Sequence, residues 1–428
     1  MRIPDLIKAS AAAGLCLFLV LPSAFSEPLK PRDADLLKKI QKDTFQYFPR
    51  LSDKETGLTR DTSRPGSPAS IAATGFSLAS VAIGASHQWI PEVWAREYLH
   101  KTLKSLLTKA QHERGFFYHF LDPKSGRRVW ASEASSIDTA LLIAGALVAA
   151  QYYPGTDIER MAKDLYARVD WNWMLNGTDL ICMGWKPETG FLPYYWDMYN
   201  EQLILQALAV GSPTHSVGKT VWNAWERRED EFNGRKVVFS YSGSLFTYQY
   251  PQAFIDFRNL DDAGINYFEN SKQATLANRE YSLGFRHLSK GYSENSWGLS
   301  ASVGPGGYKA YGGKPGEGLQ DGTIAPYAAL SSIVFTPEES MAAARFFFEQ
   351  YEKQLYGHFG FKDAFNLDKR WWAEEYVGID QGIIVVMLEN FLNDGAVWGK
   401  FMSLEAIERW VEICKLRKPE EPAAIPLS

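Results

Sequence analysis

The chain has 428 residues, a formal net charge of −5 at pH 7 and 14% aromatic residues, among them 14 tryptophans. The mild acidity and the lack of basic clusters argue against nucleic acid or an anionic membrane surface as partners. No linker rich in Gly, Ser or Pro interrupts residues 33–415, so we expect one large domain over 27–415 and a polar tail over 416–428.

The first 26 residues have the features of a secretory signal peptide. Arg2 and Lys8 flank the start, residues 11–21 form a short apolar run, and residues 24–26 resemble a cleavage site. The run is too short for a membrane span. We therefore expect a periplasmic or secreted protein that has no membrane contact after the signal peptide is cleaved.

Cysteine and histidine give no sign of a metal centre. The mature chain contains only Cys182 and Cys414, which could pair in an oxidising compartment; we favour two buried, small hydrophobic side chains. The seven histidines lack metal-ligand spacing, and the closest pair is His112 and His119. We expect no metal site.

Hydrophobic periodicity predicts helices throughout the chain and few strands. One set of segments is rich in small residues and apolar on most faces, as in buried helices: roughly 69–86, 134–150, 196–210, 244–257 (which contains Pro251), 321–333 and 379–391. Amphipathic segments with charged faces alternate with them: roughly 33–49, 91–111, 156–173, 215–229, 265–288 and 337–353, with a last one at about 399–412.

This alternation predicts an all-α fold, an (α/α)6 toroid of six inner helices ringed by outer helices. The count leaves one outer helix over, either 33–49 or 399–412. The links that lead from an outer helix to the next inner helix are all long: 50–68, 112–133, 174–195, 230–243, 289–320 and 354–378. Long loops in compact domains are usually functional, so we expect the active-site cleft at the N-terminal ends of the inner helices.

Four acids lie in or next to the predicted first turns of inner helices: Asp138, Glu201, Asp321 and Asp380. For each aspartate taken singly, helix capping is the simpler explanation. Glu201 differs because it lies about one turn into its predicted helix, with Asp197 four residues earlier as the better cap. Two carboxylates on one helix face repel, which raises one pKa and suits a general acid. The structural alternative is a hydrogen-bonded buried Glu that fixes helix packing.

Aromatic residues precede Glu201 in the sequence: Phe191, Tyr194, Tyr195, Trp196 and Tyr199. Flat rings beside a partly desolvated acid suit a sugar, because rings stack on pyranose faces and the acid can protonate a glycosidic oxygen. The pattern therefore favours a carbohydrate-active site.

Eight runs resemble the glycoamylase-like domain, in the same order and over nearly all of the mature chain. They are GFFYHFLD (115–122), EASSIDTALLIAGAL (133–147), YNEQLILQALAVGSPTH (199–215), SLFTYQYPQAFIDFR (244–258), YFENSKQATLANREY (267–281), DGTIAPYAALSSIVFTPEES (321–340), LYGHFGFKDAFN (355–366) and GIDQGIIVVMLEN (378–390). Within that grouping the chain is most similar to glycoside hydrolase family 144, the bacterial endo-β-1,2-glucanases and their sophorose-releasing relatives. The resemblance implies an (α/α)6 toroid and inverting attack on β-1,2-linked glucan without metal or organic cofactor. We expect a monomer.

The resemblance also implies roles for single residues. Glu201, in Tyr-Asn-Glu, matches the candidate general acid, and Asp380, in Gly-Ile-Asp-Gln-Gly, matches the candidate base. Asp138, in Ile-Asp-Thr, matches a further acidic residue of the cleft. Composition and position add stacking candidates, namely Tyr194, Trp196, Trp185, Tyr311, Trp371 and Trp372. Candidates for holding sugar hydroxyls are Asn200, Lys186, Gln249, Arg258 and Asn366.

The predicted reaction is an inverting displacement. Glu201 protonates the leaving oxygen while Asp380, directly or through a sugar hydroxyl, activates water on the other face of the ring. Three alternatives remain at this stage: a transglycosylase of the same fold, a hydrolase of another β-glucan linkage, and a non-catalytic carbohydrate-binding protein. The sequence does not decide between endo and exo action.

Overall fold

The structure is a computed structural model that describes residues 29–313 and 318–417. The predicted signal peptide and the predicted tail beyond residue 417 lie outside the described residues. The described residues contain a short 3-10 helix, Trp173–Leu175, and fifteen α-helices: α1 (Pro31–Phe45), α2 (Tyr47–Leu51), α3 (Ile71–Ser86), α4 (Glu92–Thr108), α5 (Ser136–Tyr152), α6 (Asp157–Ala167), α7 (Gln202–Gly211), α8 (Lys219–Ala224), α9 (Phe246–Phe254), α10 (Tyr267–Gly284), α11 (Pro326–Ser331), α12 (Pro337–Leu355), α13 (Gly378–Leu392), α14 (Ala396–Met402) and α15 (Glu405–Cys414).

Six helices, α3, α5, α7, α9, α11 and α13, form an inner ring in which each packs against its neighbours. Their residues are buried on nearly every face; in α3 every residue from Ile71 to Ala85 is buried. A helix that is apolar all round is stable only when other elements surround it. The predicted (α/α)6 toroid is confirmed.

The closest contact in this ring joins α3 to α5 at two glycines. The backbones approach so closely that a Cβ added to Gly145 would overlap the carbonyl group of Gly75. Only a residue without a side chain fits there, although glycine is a poor helix former. The small-residue composition of the inner helices therefore reflects how tightly they pack.

The outer layer consists of α1, α4, α6, α8, α10 and α12, which bury one face each, as α6 does with Ile158, Met161 and Leu165. The first helix, α1, packs against α13 and α3 and closes the ring. The C-terminal helices instead cover the ends of inner helices: Trp398 donates to the Gln252 carbonyl of α9 at 2.6 Å. The surplus helix of the predicted count is thus the C-terminal one.

Within the described residues, the segments that lead into the inner helices contain sixteen short strands: β1 (Ala69–Ser70), β2 (His112–Glu113), β3 (Phe116–Phe117), β4 (Phe120–Leu121), β5 (Ala134–Ser135), β6 (Gly184–Lys186), β7 (Gly190–Phe191), β8 (Glu229–Phe232), β9 (Arg235–Val238), β10 (Ala301–Gly304), β11 (Gly307–Ala310), β12 (Thr323–Ile324), β13 (Tyr356–Gly357), β14 (Gly360–Phe361), β15 (Phe365–Asn366) and β16 (Trp371–Trp372). They form the antiparallel sheets β1–β4, β2–β3, β5–β6–β7, β8–β9, β10–β11, β12–β15–β16 and β13–β14. Strands of two to four residues are too short to show an alternating pattern, which is why the sequence predicts so few. Three of them, β1, β5 and β12, run almost directly into α3, α5 and α11 and so tie the loops to the inner-helix N-termini.

Three inner helices, α7, α9 and α11, are shorter than predicted. The helix predicted at 196–210 begins only at Gln202, whose N–H donates to the Asn200 side chain at 2.9 Å. The helix predicted at 321–333 spans Pro326–Ser331, because the residue before a proline favours an extended conformation and proline suits the first helical turn. The helix predicted over 244–257 is present as α9 and accommodates Pro251.

Cys182 and Cys414 are both free and buried, which confirms the preference for two small hydrophobic side chains over a disulfide. Within residues 29–313 and 318–417, none of the helices has both the length and the apolar composition needed to cross a membrane.

Candidate active site

A cavity of about 630 Å³ opens at the N-terminal ends of the inner helices. Five inner helices contribute a wall residue from their beginning: Ala72 of α3, Asp138 of α5, Glu201 directly before α7, Phe246 of α9 and Ile379 of α13. The location predicted from the long links is confirmed.

Glu201 is the residue that immediately precedes α7, and it is partly exposed in the cavity wall. Burial raises the pKa of its carboxyl group to about 7; a backbone hydrogen bond opposes this shift and the negative charge of Asp138 adds to it. The predicted role of Asp197 is wrong, because residues 197–200 precede the helix and the two acids do not share a helix face. The partner that raises the pKa of Glu201 is Asp138, from the neighbouring inner helix.

Asp138 lies in the first turn of α5, where Ser135 is the N-cap and accepts from the Asp138 N–H at 3.2 Å. The carboxylate of Asp138 in turn accepts from the Ser135 hydroxyl at 2.5 Å. Its other oxygen lies 3.5 Å from Nε2 of His119, whose Nδ1 lies 3.0 Å from Glu133. Asp138 is therefore not the cap of its helix, a role that Ser135 has; it forms one end of a carboxylate–imidazole–carboxylate chain.

The imidazole of this chain is cationic at neutral pH. Burial disfavours the charge, but Asp138 and Glu133 outweigh it and raise the pKa of His119 to about 9. The ligand atoms of His119, Glu133 and Asp138 lie within 4.8 Å of one another, so these residues could hold a metal ion. Binding would require His119 to lose its proton and both ion pairs to break.

Two further acids line the cavity. Burial raises the pKa of Asp61 to about 6; His119 opposes the shift and Asp138 adds to it. Glu375 is buried and pairs with the exposed Arg64 at the rim. Burial also raises the pKa of Glu375, although Arg64 opposes it. The wall thus combines several carboxylates with one imidazolium and one guanidinium.

Asp380 lies in the first turn of α13 but behind the wall, with only 1% of its surface exposed. It accepts a hydrogen bond from the Tyr250 hydroxyl at 3.2 Å, and Tyr250 lines the cavity. Burial, and next the charge of Asp363, raise the pKa of Asp380 well above its usual range. No side chain caps α13, so capping does not explain Asp380.

Asp321 does not share this arrangement. It lies five residues before α11 and accepts from the N–H and the hydroxyl of Thr323 at 3.1 and 2.6 Å. It is not among the residues that line the cavity. Its carboxylate organises the turn before β12. The prediction that Asp321 lies in or next to the first turn of an inner helix is therefore wrong.

Three polar residues predicted to hold sugar hydroxyls have structural contacts instead. Gln249 is fully buried and donates to the Ala328 carbonyl of α11 at 2.7 Å. Asn366 is also buried and donates to the Asp321 carbonyl at 2.9 Å. Arg258 follows the C-terminal end of α9, where it lies over the ring of Trp398. These predictions are corrected, because the three side chains join elements outside the cavity wall.

Two aromatic candidates, Trp196 and Tyr311, are likewise buried in the protein, and a third, Trp372, is half-buried. Trp196 is buried and donates to the Ser136 hydroxyl at 2.9 Å. Tyr311 is buried beside the β10–β11 hairpin, and Trp372 stacks on Phe365 with ring centroids 5.2 Å apart. The other five candidates do not line the cavity and stay predictions for a wider groove: Tyr194, Asn200, Trp185, Lys186 and Trp371.

The cavity also contains residues that sequence reasoning missed, most of which come from the long links: Asp61, Arg64, His119, Trp130, Tyr250, Tyr308 and Glu375. Two of them, His119 and Tyr250, lie inside runs that carry the family resemblance. Their position in these runs is the sequence feature that could have identified them as site residues.

Comparisons with known proteins agree with this architecture. The Glycoamylase family model, described as "Putative glucoamylase", matches residues 193–405. A crystal structure named as a "putative glucoamylase" from Bacteroides uniformis is 31% identical, with a TM-score of 0.84 over 91% of this chain and 98% of that one. An endo-β-1,2-glucanase from Chitinophaga pinensis, in complex with sophorotriose and glucose, is 28% identical, with a TM-score of 0.84 over 90% of this chain and 98% of that one.

Among curated proteins, the chain is similar to an exo β-1,2-glucooligosaccharide sophorohydrolase (non-reducing end) from Parabacteroides distasonis. The two are 28% identical over 421 residues, which cover 89% of this chain. The match spans only 58% of that relative's length.

Proposed function

This chain belongs to the glycoamylase-like family, and from that premise we propose that it is a glycoside hydrolase that cleaves β-1,2-glucan by an inverting mechanism. The observation that carries the proposal is Glu201, a carboxyl group in the wall of a large cavity with a pKa of about 7. General acids work best when their pKa lies near the operating pH. The similarity to an endo-acting and an exo-acting β-1,2-glucanase supports the substrate.

Glu201 is the proposed general acid. At pH 7 about half of its population is protonated and can donate to the glycosidic oxygen as the bond to the anomeric carbon breaks. The carboxylates of Asp138 and Asp61 line the same cavity. Their negative charge would stabilise the oxocarbenium-like transition state, because preorganised charges act strongly in a partly desolvated site.

Asp380 remains the proposed base, but it is buried behind the cavity wall and reaches the cavity only through the Tyr250 hydroxyl, which donates to it at 3.2 Å. A water oxygen attacks the anomeric carbon, a proton of that water passes to the Tyr250 oxygen as the Tyr250 proton passes to Asp380, and the proton of Glu201 passes to the leaving oxygen. Burial and the charge of Asp363 favour the proton of this buried pair on Asp380, so Asp380 can accept another proton only after its own has passed to Asp363. The Tyr250 hydroxyl, which donates a hydrogen bond to Asp380, separates the Asp363–Asp380 pair from the cavity.

The test is hydrolysis of linear β-1,2-glucan by the purified chain, with β-1,3- and β-1,4-glucans as comparison substrates. We expect sophorose alone if action is exo and a ladder of oligosaccharides if it is endo. The first product observed by NMR should be the α-anomer, since inversion changes the configuration. Release of the β-anomer, redistribution of chain lengths without new reducing ends, or activity only on another linkage would refute the proposal. Glu201→Gln is the control for a contaminating hydrolase.

We also propose that the protein is exported to the periplasm or secreted. The charged start, the apolar run over 11–21 and the cleavage-like site at 24–26 support this. N-terminal sequencing of the protein recovered from a periplasmic or extracellular fraction should begin near residue 27. Recovery of the uncut chain in the cytoplasm alone would refute it.

A further inference from the structure

A strained turn presents Trp130 at the rim of the cavity. Trp130 lines the cavity, yet 69% of its surface is exposed. Trp130 and Ala131 have φ values of 58° and 49°, and the Ser132 N–H donates to the Val129 carbonyl at 3.2 Å. Two successive positive φ values are typical of a type I′ turn, which normally contains Asn and Gly. Trp and Ala in these positions strain the backbone.

The stem of this turn is firmly held. Arg128 binds Glu188 through two parallel hydrogen bonds of 2.6 and 2.9 Å, and its Nε donates to the Ser132 carbonyl at 2.5 Å. The Val129 N–H donates to the Phe120 carbonyl at 3.1 Å. A bidentate arginine–carboxylate pair fixes geometry as well as charge. The surrounding contacts therefore enforce the strained conformation.

A row of rings joins Trp130 to the acids of the cavity. The indole packs against Phe120 with centroids 5.1 Å apart, and Phe120 stacks on His119 with centroids 4.0 Å apart. His119 in turn pairs with Asp138, whose charge helps to raise the pKa of Glu201. The exposed ring is thus fixed relative to the proposed general acid.

We propose that Trp130 is a stacking platform for a glucosyl unit of the substrate at the rim of the cavity. This inference rests on the proposed function. The faces of a pyranose carry C–H groups, which suit the electron-rich face of an indole. Strain that persists beside a cavity indicates a function, because Asn or Gly would relieve it at no cost to the turn. A large ring that contributed only to folding would be buried, as Trp171 and Trp297 are.

The test compares four variants with the wild type on β-1,2-glucooligosaccharides of increasing length. Trp130→Ala should raise KM by at least about tenfold and leave kcat within about threefold, whereas Trp130→Tyr should keep most of the affinity. Ala131→Gly relieves strain at the neighbouring position and keeps the ring, so its KM should be unchanged and its Tm should rise by about 1–2 °C. Tyr241→Ala removes a ring that is 73% exposed and does not line the cavity, and KM should not change.

An unchanged KM in Trp130→Ala would overturn the inference. So would a fall in kcat and Tm at constant KM, since that pattern indicates a structural role. The proposed function fails separately, if the wild type hydrolyses no β-1,2-glucan. In that case, calorimetric titration of sophorose and sophorotetraose into wild type and Trp130→Ala tests whether Trp130 is a stacking platform, because it measures binding without turnover. Equal affinities, or no binding to either protein, would refute it.

Discussion

The pKa of Glu201 gives a quantitative prediction for the pH dependence of hydrolysis. Its carboxyl group must be protonated to act as the general acid, and burial sets its pKa at about 7. The protonated fraction is therefore about one half at pH 7, about one tenth at pH 8 and about one hundredth at pH 9. The pH dependence of kcat/KM reports the pKa values of the free enzyme. The value of kcat/KM should therefore fall about tenfold per pH unit above pH 8.

The charge of Asp138 provides a second measurement on the same group. In Asp138→Asn the repulsion that helps to raise the pKa of Glu201 is gone, so the alkaline limb should move to lower pH. The pKa of Glu201 in this variant should stay above its ordinary value of 4.5, because burial is the larger cause of the shift and is still present. The assay is the initial rate of reducing-end release at substrate concentrations well below KM, from pH 5 to pH 9.5. A limb near pH 4.5 in the wild type, or normal rates in Glu201→Gln, would refute the assignment.

Three further variants test the base, the inner ring and the imidazolium. Asp380→Asn should lower kcat by at least about 100-fold without lowering Tm, because the amide fills the same buried volume; near-normal turnover would remove Asp380 from the mechanism. Gly145→Ala should lower the free energy of unfolding by about 1–3 kcal/mol in a denaturant titration, since its Cβ overlaps the Gly75 carbonyl, whereas Gly284→Ala meets open space and should not be destabilised; equal stability of the two would contradict this. The folded-state pKa of His119, about 9, exceeds its ordinary 6.5, so its ion pairs stabilise the protein fully below about pH 6.5 and lose that effect as pH rises through about 9. The Tm of His119→Gln should accordingly lie below that of the wild type at pH 6 and approach it above pH 9; a constant difference would contradict the shift.

The fold was predictable because helices that are buried on all faces consist largely of small and apolar residues. The segment that became α3 consists almost entirely of small and apolar residues, and such a helix has no stable position on a protein surface. Helix ends were harder to predict. At the start of α7 the Gln202 N–H donates a hydrogen bond to the Asn200 side chain, and periodicity carries no information about that contact.

The site was predictable for the acids at the starts of α5 and α7, and unpredictable for residues in the links and for residues further along a buried helix, such as Tyr250 of α9. Asp138 and Glu201 reach the cavity because the ring brings the starts of its helices together. Gln249 is one turn into α9, but its side chain faces α11, and the sequence gives no facing direction for a helix that is buried all round. The position of Trp130 depends on the path of a long loop. That path is set by contacts between residues that are remote in sequence, such as Arg128 and Glu188.

The same ring explains why an acid at a helix N-terminus can remain protonated at neutral pH. The dipole of α7 should stabilise an ionised Glu201, by about 0.3–1 kcal/mol and at most about 2 kcal/mol. A pKa of about 7 instead of 4.5 corresponds to roughly 3 kcal/mol in the opposite direction, so burial outweighs the dipole. The cavity wall that contains Glu201 also contains apolar residues, among them Phe246 and Ile379. The fold therefore raises the pKa of its proposed general acid through burial, against the dipole of α7.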